Sequence, residues 1–293
     1  MEDMKQYKPL ILLLLINCIG LSSCKKYDPD PTDDPKYSTS EAYTLSNISY
    51  GSDGEQKMDI YLPKDRSATT TKVFVLIHGG CWSSGYNSGF SSVLNNLKNT
   101  YPDYAVINLN YRLGTVNNPG YPKQIEDIQK ALSEIQKTEY TVSNEYFFYG
   151  ISAGAHLSLL YGYAFDPNHE VKGICNVVGP SEFADSAYTN SFTESYITPF
   201  LVGTETINQN PALFDEVSPA KQVTANAPPT ISFYGGADTF VPSSQLTLLH
   251  DQLDDFGVYN ESTLYPTKTH TSWTQAEIND FTTKLGQFLE TYF

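Results

Sequence analysis

The chain has 293 residues, 40% of them hydrophobic and 17% charged, with a formal net charge of −15. That size and composition suit one large globular domain or two small ones and exclude an intrinsically disordered chain. The acidic balance argues against a nucleic-acid partner. The four cysteines contain no CxxC pair, so no zinc or thioredoxin-like motif is present and no metal site is expected.

Residues 1–23 have the organisation of a secretory leader. Lys5 and Lys8 precede the apolar run LILLLLI, which is too short for a comfortable membrane span. The leader closes on Leu21-Ser22-Ser23-Cys24, which resembles a bacterial lipobox and implies cleavage before Cys24 and lipid attachment to its sulfur. Acyl chains at Cys24 would hold the mature protein on a bacterial membrane, with the outer membrane expected, while the rest stays in water. Residues 24–42 are rich in Asp, Pro and Lys and nearly free of aliphatics, so they read as a disordered acidic tether. Acidic stretches after a lipidated cysteine also resemble surface-export signals of Bacteroidetes lipoproteins.

From residue 43 onward the pattern is that of a folded domain reaching to residue 293. QKMDIYLP alternates Met58, Ile60 and Leu62, as a half-buried strand does, and KVFVLI (72–77) is a continuous apolar run suited to a strand buried on both faces. YAVINLNY (104–111) predicts another strand. In YPKQIEDIQKALSEIQK, Ile125, Ile128, Leu132 and Ile135 share one helical face. EYFFYG predicts a core strand and GAHLSLLYGYA the helix after it, while VKGICNVVG and PTISFYGG predict two more buried strands. VPSSQLTLLHDQLDDFG is an amphipathic helix, NESTLYP a last strand and TQAEINDFTTKLGQFLETYF a closing helix. Strands alternating with helices predict an α/β architecture, a mostly parallel sheet of eight strands with helices on both faces. Residues 181–227 lack clear periodicity and are too long for an ordinary loop, so they read as an insertion near the site containing short helices.

The chemistry centres on FYGISAGAH. Ser152 sits between Gly150 and Gly154 in a GxSxG pattern, directly after a strand and before a helix. A strand-to-helix turn of this kind presents the serine Oγ at the sheet edge, with a helix N-terminus behind it that favours developing negative charge. Serine needs a base to become a nucleophile. Of the five histidines, His270 follows the last strand, at the edge where the serine lies. His156 is one turn past Ser152 and is expected to be structural, and His250 and His169 are expected on the surface. Asp238 follows the buried strand PTISFYGG and is the expected orienting acid, in preference to Asp215, Asp251, Asp254 and Asp255, none of which directly follows a core strand. The order Ser152, Asp238, His270 is the chain order of an α/β-hydrolase. The loop His78-Gly79-Gly80-Cys81-Trp82 after KVFVLI is expected to supply oxyanion donors from Gly80 and Cys81, with Gly79 an alternative, alongside the Ala153 amide. His78 is expected to brace that loop. Trp82 either lines the substrate cleft or packs, and a disulfide between Cys81 and Cys175 stays open. Arg112 is expected to pair with Glu126 or Asp127 in a structural role.

Taken together, HGGCW, NLNYRLG, YPKQIEDI, GISAGAH, SPAKQV, PPTISFYGGADTFVP and the late Thr269-His270 resemble the hormone-sensitive-lipase-like carboxylesterases, and most of all the bacterial feruloyl and acetyl-xylan esterases. The resemblance covers about residues 55–293. It departs at Cys81, where many relatives carry a third glycine, which puts the loop's shape in question but not donation by a backbone amide. It implies an α/β-hydrolase fold and cofactor-free hydrolysis through an acyl-enzyme. The implied substrates are small esters or ester-decorated glycans, with acetyl or feruloyl groups on plant polysaccharides favoured. A general short-chain esterase, a serine peptidase and a non-catalytic binding protein on the same fold are the competing readings.

Overall fold

The computed structural model describes residues 36–189 and 193–293. The leader, Cys24 and the first part of the tether lie outside the described residues. Eight strands form one sheet in the order β1-β2-β4-β3-β5-β6-β7-β8. They are β1 (Tyr43–Ser49), β2 (Lys57–Leu62), β3 (Val73–Ile77), β4 (Ala105–Leu109), β5 (Tyr146–Ile151), β6 (Val171–Val177), β7 (Thr230–Gly235) and β8 (Asn260–Tyr265). The two pairings at the β1 edge are antiparallel, and every pairing from β4 to β8 is parallel. With its helices, this is the α/β-hydrolase fold.

The central strands are buried on both faces because their apolar residues run without interruption. Val73, Val75, Ile77, Tyr146 and Phe148 face one apolar layer, while Phe74, Leu76, Phe147 and Tyr149 face the other. The first layer is closed by α2 (Lys123–Ile135), α3 (Ala153–Ala164) and α6 (Ser244–Asp255), the second by α1 (Ser91–Thr100) and α7 (Gln275–Tyr292). Ile125, Ile128, Leu132 and Ile135 all turn inward from α2, as their 3.6-residue spacing predicts.

Residues 181–227 contain a π-helical turn (Thr193–Ile197), α4 (Pro199–Val202), α5 (Pro211–Glu216) and a 3-10 turn (Pro219–Gln222). Two further elements, β1 and α1, were not distinguishable in the sequence. Only Leu94 and Leu97 of α1 are buried, and β1 is an edge strand with four of its seven residues exposed, so neither carries a strong periodic signal.

The end of the expected tether differs from the expectation. The Arg66 guanidinium, nearly buried, donates to the carbonyls of Tyr37, Ser38 and Glu41 and, through Nε, to that of Tyr140. Tyr37 stacks on Tyr140 at 5.8 Å. Residues 37–41 are therefore fastened to the domain by one cation that saturates otherwise unpaired carbonyls.

Arg112 and Asp127 fix α2 against the antiparallel edge. Asp127, whose side chain is wholly buried, accepts from Arg112 Nη2 at 2.7 Å, from the Arg112 amide at 2.8 Å and from Gln56 Nε2 at 2.7 Å. Glu126 adds a longer, exposed contact of 3.3 Å to the same guanidinium. Removing Asp127 leaves the buried Gln56 amide without its acceptor, at a typical cost of about 1–3 kcal/mol, while Arg112, a quarter exposed, can be rehydrated. Asp127→Ala should therefore lower unfolding stability by about 1–3 kcal/mol, measured by urea denaturation, with Glu126→Ala nearly silent. Equal effects of the two substitutions would contradict this assignment.

Candidate active site

Parallel pairing aligns the strand ends. Ile77 lies opposite Gly150, Ile151 opposite Val177, and Gly235 opposite Tyr265, so the loops after β3, β5, β7 and β8 all emerge at one edge. Ser152 is the first residue past β5 and has φ 55° and ψ −122°. A side chain rarely adopts this conformation, which costs on the order of 1–3 kcal/mol. The turn is held by Ser152 N–H donating to Val177 O at 2.8 Å and His156 N–H donating to Ser152 O at 3.0 Å. Gly150 and Gly154 are required on either side, since a Cβ on Gly154 would lie 2.0 Å from the Ile77 carbonyl oxygen and one on Gly150 would lie 2.4 Å from the Gly154 oxygen.

His270 and Asp238 come from the loops after β8 and β7. These loops are stitched together by Gly236 N–H to Tyr265 O and Ala237 N–H to Lys268 O, both at 2.9 Å. The His270 loop is tied in turn to the start of α7, where Lys268 pairs with Glu277 at 3.4 Å and Glu277 caps the Thr274 amide. His270 Nε2 lies 3.0 Å from Ser152 Oγ, and Nδ1 lies 2.6 Å from Asp238 Oδ2. The other carboxylate oxygen, Oδ1, accepts from the amides of Phe240 at 2.8 Å and Val241 at 3.0 Å. Asp238 is thus a buried acceptor on all sides, which places the Nδ1 proton between it and the imidazole. Nε2 is left with a lone pair facing the serine hydroxyl, the arrangement needed for the ring to take the hydroxyl proton. None of the competing aspartates enters this relay, for Asp215 lies in α5 and Asp251, Asp254 and Asp255 lie in α6.

The loop after β3 turns sharply. Gly80, Cys81 and Trp82 have φ of 122°, 53° and 59° in succession. Gly79, Gly80, Cys81, Ser152, Ala153 and His270 all border one cavity of about 400 Å³, within the range of small-molecule sites. Its remaining walls are mainly apolar, with Phe240 and Val241 from the Asp238 loop and Tyr188 and Ile197 from the irregular 181–227 segment. Cys81 and Cys175 are both free thiols, so the possible disulfide is not formed. Burial raises the Cys81 pKa, which keeps it a neutral thiol.

Trp82 borders the cavity but is chiefly packed, being only 1% exposed. Its indole Nε1–H donates to His156 Nδ1 at 3.1 Å, and His156 Nε2–H donates to Val217 O at 2.8 Å. These bonds fix His156 as a neutral structural ring joining the glycine loop, α3 and the 181–227 segment. His78 braces the loop as expected. Its Nδ1–H donates to Gly79 O at 2.7 Å, its ring stacks on Tyr111 at 4.3 Å, and the Tyr111 hydroxyl donates to His78 O. His169 is exposed, but His250 is not on the surface as the sequence suggested. It is 7% exposed, with Nδ1 2.6 Å from Asn260 Oδ1, because it falls on the face of α6 that covers β8.

The parallel sheet and the Ser152–His270–Asp238 arrangement at its edge place the protein among the α/β-hydrolases. More narrowly, the chain belongs to the BD-FAE family, whose model matches residues 58–253. It is similar to Esterase LipC of Mycobacterium tuberculosis, with 26% identity over 214 residues, 68% of this chain and 52% of that protein. It spans about half the length of the first relatives of known name that it matches. Among solved structures, a bifunctional GH43-CE protein of Bacteroides eggerthii superimposes with a TM-score of 0.70 and 22% identity, over 87% of this chain and 39% of that one. A truncated carbohydrate esterase from gut microbiota does so with a TM-score of 0.65 and 20% identity, over 86% of this chain and 99% of that one. At these identities the solved structures establish a shared fold.

Burial lowers the His156 pKa to about 4. An imidazole in the unfolded chain titrates near 6.5, so between those values the unfolded chain holds a proton that the folded one lacks. The contribution to stability is complete above pH 6.5 and is lost as the pH falls toward 4, by roughly 3 kcal/mol. Burial lowers His78 and His250 in the same direction. Urea midpoints measured from pH 7.5 to 4 should fall across this window, and more shallowly in His156→Asn. A midpoint in that variant as steep in pH as the parent's would show that His156 does not carry the effect.

Proposed function

We propose that this chain is a serine carboxylic-ester hydrolase working through an acyl-enzyme. The observation that carries the reading is the unbroken hydrogen-bonded line from Ser152 Oγ through His270 to buried Asp238, opening into an apolar cavity. Membership of the BD-FAE family and similarity to an esterase support it. His270 Nε2 takes the Ser152 proton as Oγ attacks the ester carbonyl carbon. The amides of Gly80, Cys81 and Ala153 stabilise the resulting oxyanion, and Asp238 stabilises the imidazolium. The imidazolium then protonates the departing alcohol oxygen, leaving the acyl group on Oγ. Water, deprotonated by the same ring, attacks the acyl-enzyme, and the proton returns to Oγ as the acid leaves. Every step is supplied by side chains and backbone, without a cofactor.

The favoured substrates are acetyl or feruloyl esters of plant polysaccharides or their oligosaccharides. The solved carbohydrate esterase of the same fold supports this choice, and the aromatic and aliphatic walls of the cavity suit an uncharged acyl group. In this reading, Cys24 carries the lipid that holds the enzyme on the bacterial membrane.

Ser152→Ala should reduce kcat on p-nitrophenyl acetate by about 10⁴-fold or more with the fold intact, and Asp238→Asn by about 10³-fold or more. A fluorophosphonate probe should label the parent chain and not Ser152→Ala. Full hydrolysis by Ser152→Ala would sink the mechanism. Across a panel of acetylated xylo-oligosaccharides, feruloylated arabinoxylan fragments and p-nitrophenyl acyl esters, glycan esters should give the highest kcat/KM. Turnover of the simple esters alone would leave a general short-chain esterase. Metabolic labelling with an alkyne fatty acid should mark the full chain and not Cys24→Ala.

A further inference from the structure

A second cavity of about 310 Å³ adjoins the first and has no part in the proton relay. The two share Gly79 and Ile151 as a common wall. That wall stands directly against the serine. A Cβ on Gly79 would lie 2.8 Å from the Ile151 carbonyl oxygen and 3.2 Å from Ser152 Cβ. The second cavity is completed by His78 and by the segment Gly85, Tyr86, Ser88, Gly89 and Phe90. No charged side chain lines it, in a chain whose net charge is −15. It offers an ionic ligand no Asp, Glu, Lys or Arg side chain.

Tyr86 stands at this cavity with 61% of its surface exposed. No hydrogen bond or ring contact engages its side chain among the described residues. Its backbone, by contrast, is firmly placed. The next residue, Asn87, accepts at its carbonyl from Asn108 Nδ2 at 2.8 Å, donates its amide to Asn110 Oδ1 at 2.9 Å, and donates Nδ2–H to Asp59 Oδ2 at 3.1 Å. Those three partners belong to β2 and to β4 and its end, so the platform is built on the sheet itself. Phe90, four residues on, is buried against Tyr149 of β5 at 5.6 Å and closes the same turn. Beside Tyr86 the surface is open, since Ser88 and Gly89 are exposed and nothing lies within 4 Å of where a Gly89 Cβ would stand. An exposed aromatic ring on a rigid backbone presents a flat apolar face at little conformational cost, with a polar hydroxyl at its rim.

We infer that this second cavity is a subsite for the uncharged carbohydrate part of the substrate, in which Tyr86 stacks on a sugar ring neighbouring the one that bears the ester. The inference rests on the ester-hydrolase reading and adds to it a binding site with its own residue. Tyr86 is a specificity-determining residue, touching substrate away from the reacting bond. Its effect is expected on glycan esters, which carry a further sugar ring to occupy the second cavity.

The test compares the full chain with Tyr86→Ala and Tyr86→Trp on acetylated xylohexaose and on p-nitrophenyl acetate. Tyr86→Ala should lower kcat/KM on the oligosaccharide ester about tenfold through KM, with kcat and p-nitrophenyl acetate turnover unchanged, while Tyr86→Trp keeps the parent KM. Calorimetric titration of unesterified xylohexaose into Ser152→Ala should show binding that is lost in Ser152→Ala/Tyr86→Ala. That measurement needs no turnover, so it separates the subsite from the chemistry. Absence of xylohexaose binding, an unchanged oligosaccharide KM in Tyr86→Ala, or equal losses on both esters would each overturn the subsite. If p-nitrophenyl acetate is still hydrolysed, the ester-hydrolase reading survives that result. A parent chain that binds xylohexaose through Tyr86 but hydrolyses neither ester would keep the subsite and overturn the hydrolase reading.

Discussion

The close approach of the Ser152 turn to the end of β3 is the constraint on which the rest of this structure depends. With the space for a Cβ on Gly154 occupied by the Ile77 carbonyl, the helix α3 can begin almost against the neighbouring strand. Ser152 is then forced into a left-handed conformation, and its hydroxyl projects beyond the sheet edge. The unfavourable dihedral angles persist because the turn is overdetermined. Two backbone hydrogen bonds close it, and α3 is buried along nearly its whole length between the sheet and residues 219–222. Strain concentrated at one residue and held by a large buried element is a common physical signature of a reactive position.

Around that turn, neutral and charged polar groups have separate tasks. Trp82, His156 and the Val217 carbonyl form a buried chain of neutral donors and acceptors that ties the glycine loop to α3 and to the irregular segment. Because each partner is satisfied, the chain holds the loop without placing a charge beside the cavity. The relay is a separate set of contacts, in which the Asp238 carboxylate accepts from two backbone amides and lies 2.6 Å from the His270 ring. The cavity that both border is apolar, which strengthens any charge interaction formed there. The cavity is thus bordered by the glycine loop, by the relay and by side chains of the 181–227 segment, which contributes Tyr188 and Ile197.

Much of the fold was legible because its core strands and helices are strongly patterned. The runs around Val73–Ile77, Tyr146–Ile151 and Thr230–Gly235 are apolar without break, and α2 repeats its isoleucines at helical spacing. What escaped notice was weakly patterned for a physical reason. The strand β1 sits at the sheet edge and α1 contributes two leucines, so neither needs a long apolar face. Residues 37–41 are polar and their composition suggests disorder, but their carbonyls meet a guanidinium that arrives from residue 66. His250 lies in an amphipathic helix whose sequence does not say how deeply β8 and Asn260 will cover it.

By itself, the sequence determined the identity and order of Ser152, Asp238 and His270, because the glycines of a tight turn and the ends of apolar strands leave local marks. It also determined the alternation of strand and helix, since burial on two faces demands continuous hydrophobicity. Only the tertiary structure decided which of two acidic neighbours holds Arg112, whether Cys81 meets Cys175, and that Trp82 is fastened to His156. It alone decided that Phe240 and Tyr188 border the cavity at Ser152, and that Tyr86 stands at the cavity beside it. These are relations between segments far apart in the chain, and their distances follow from how strands stack and loops close, which no local pattern encodes.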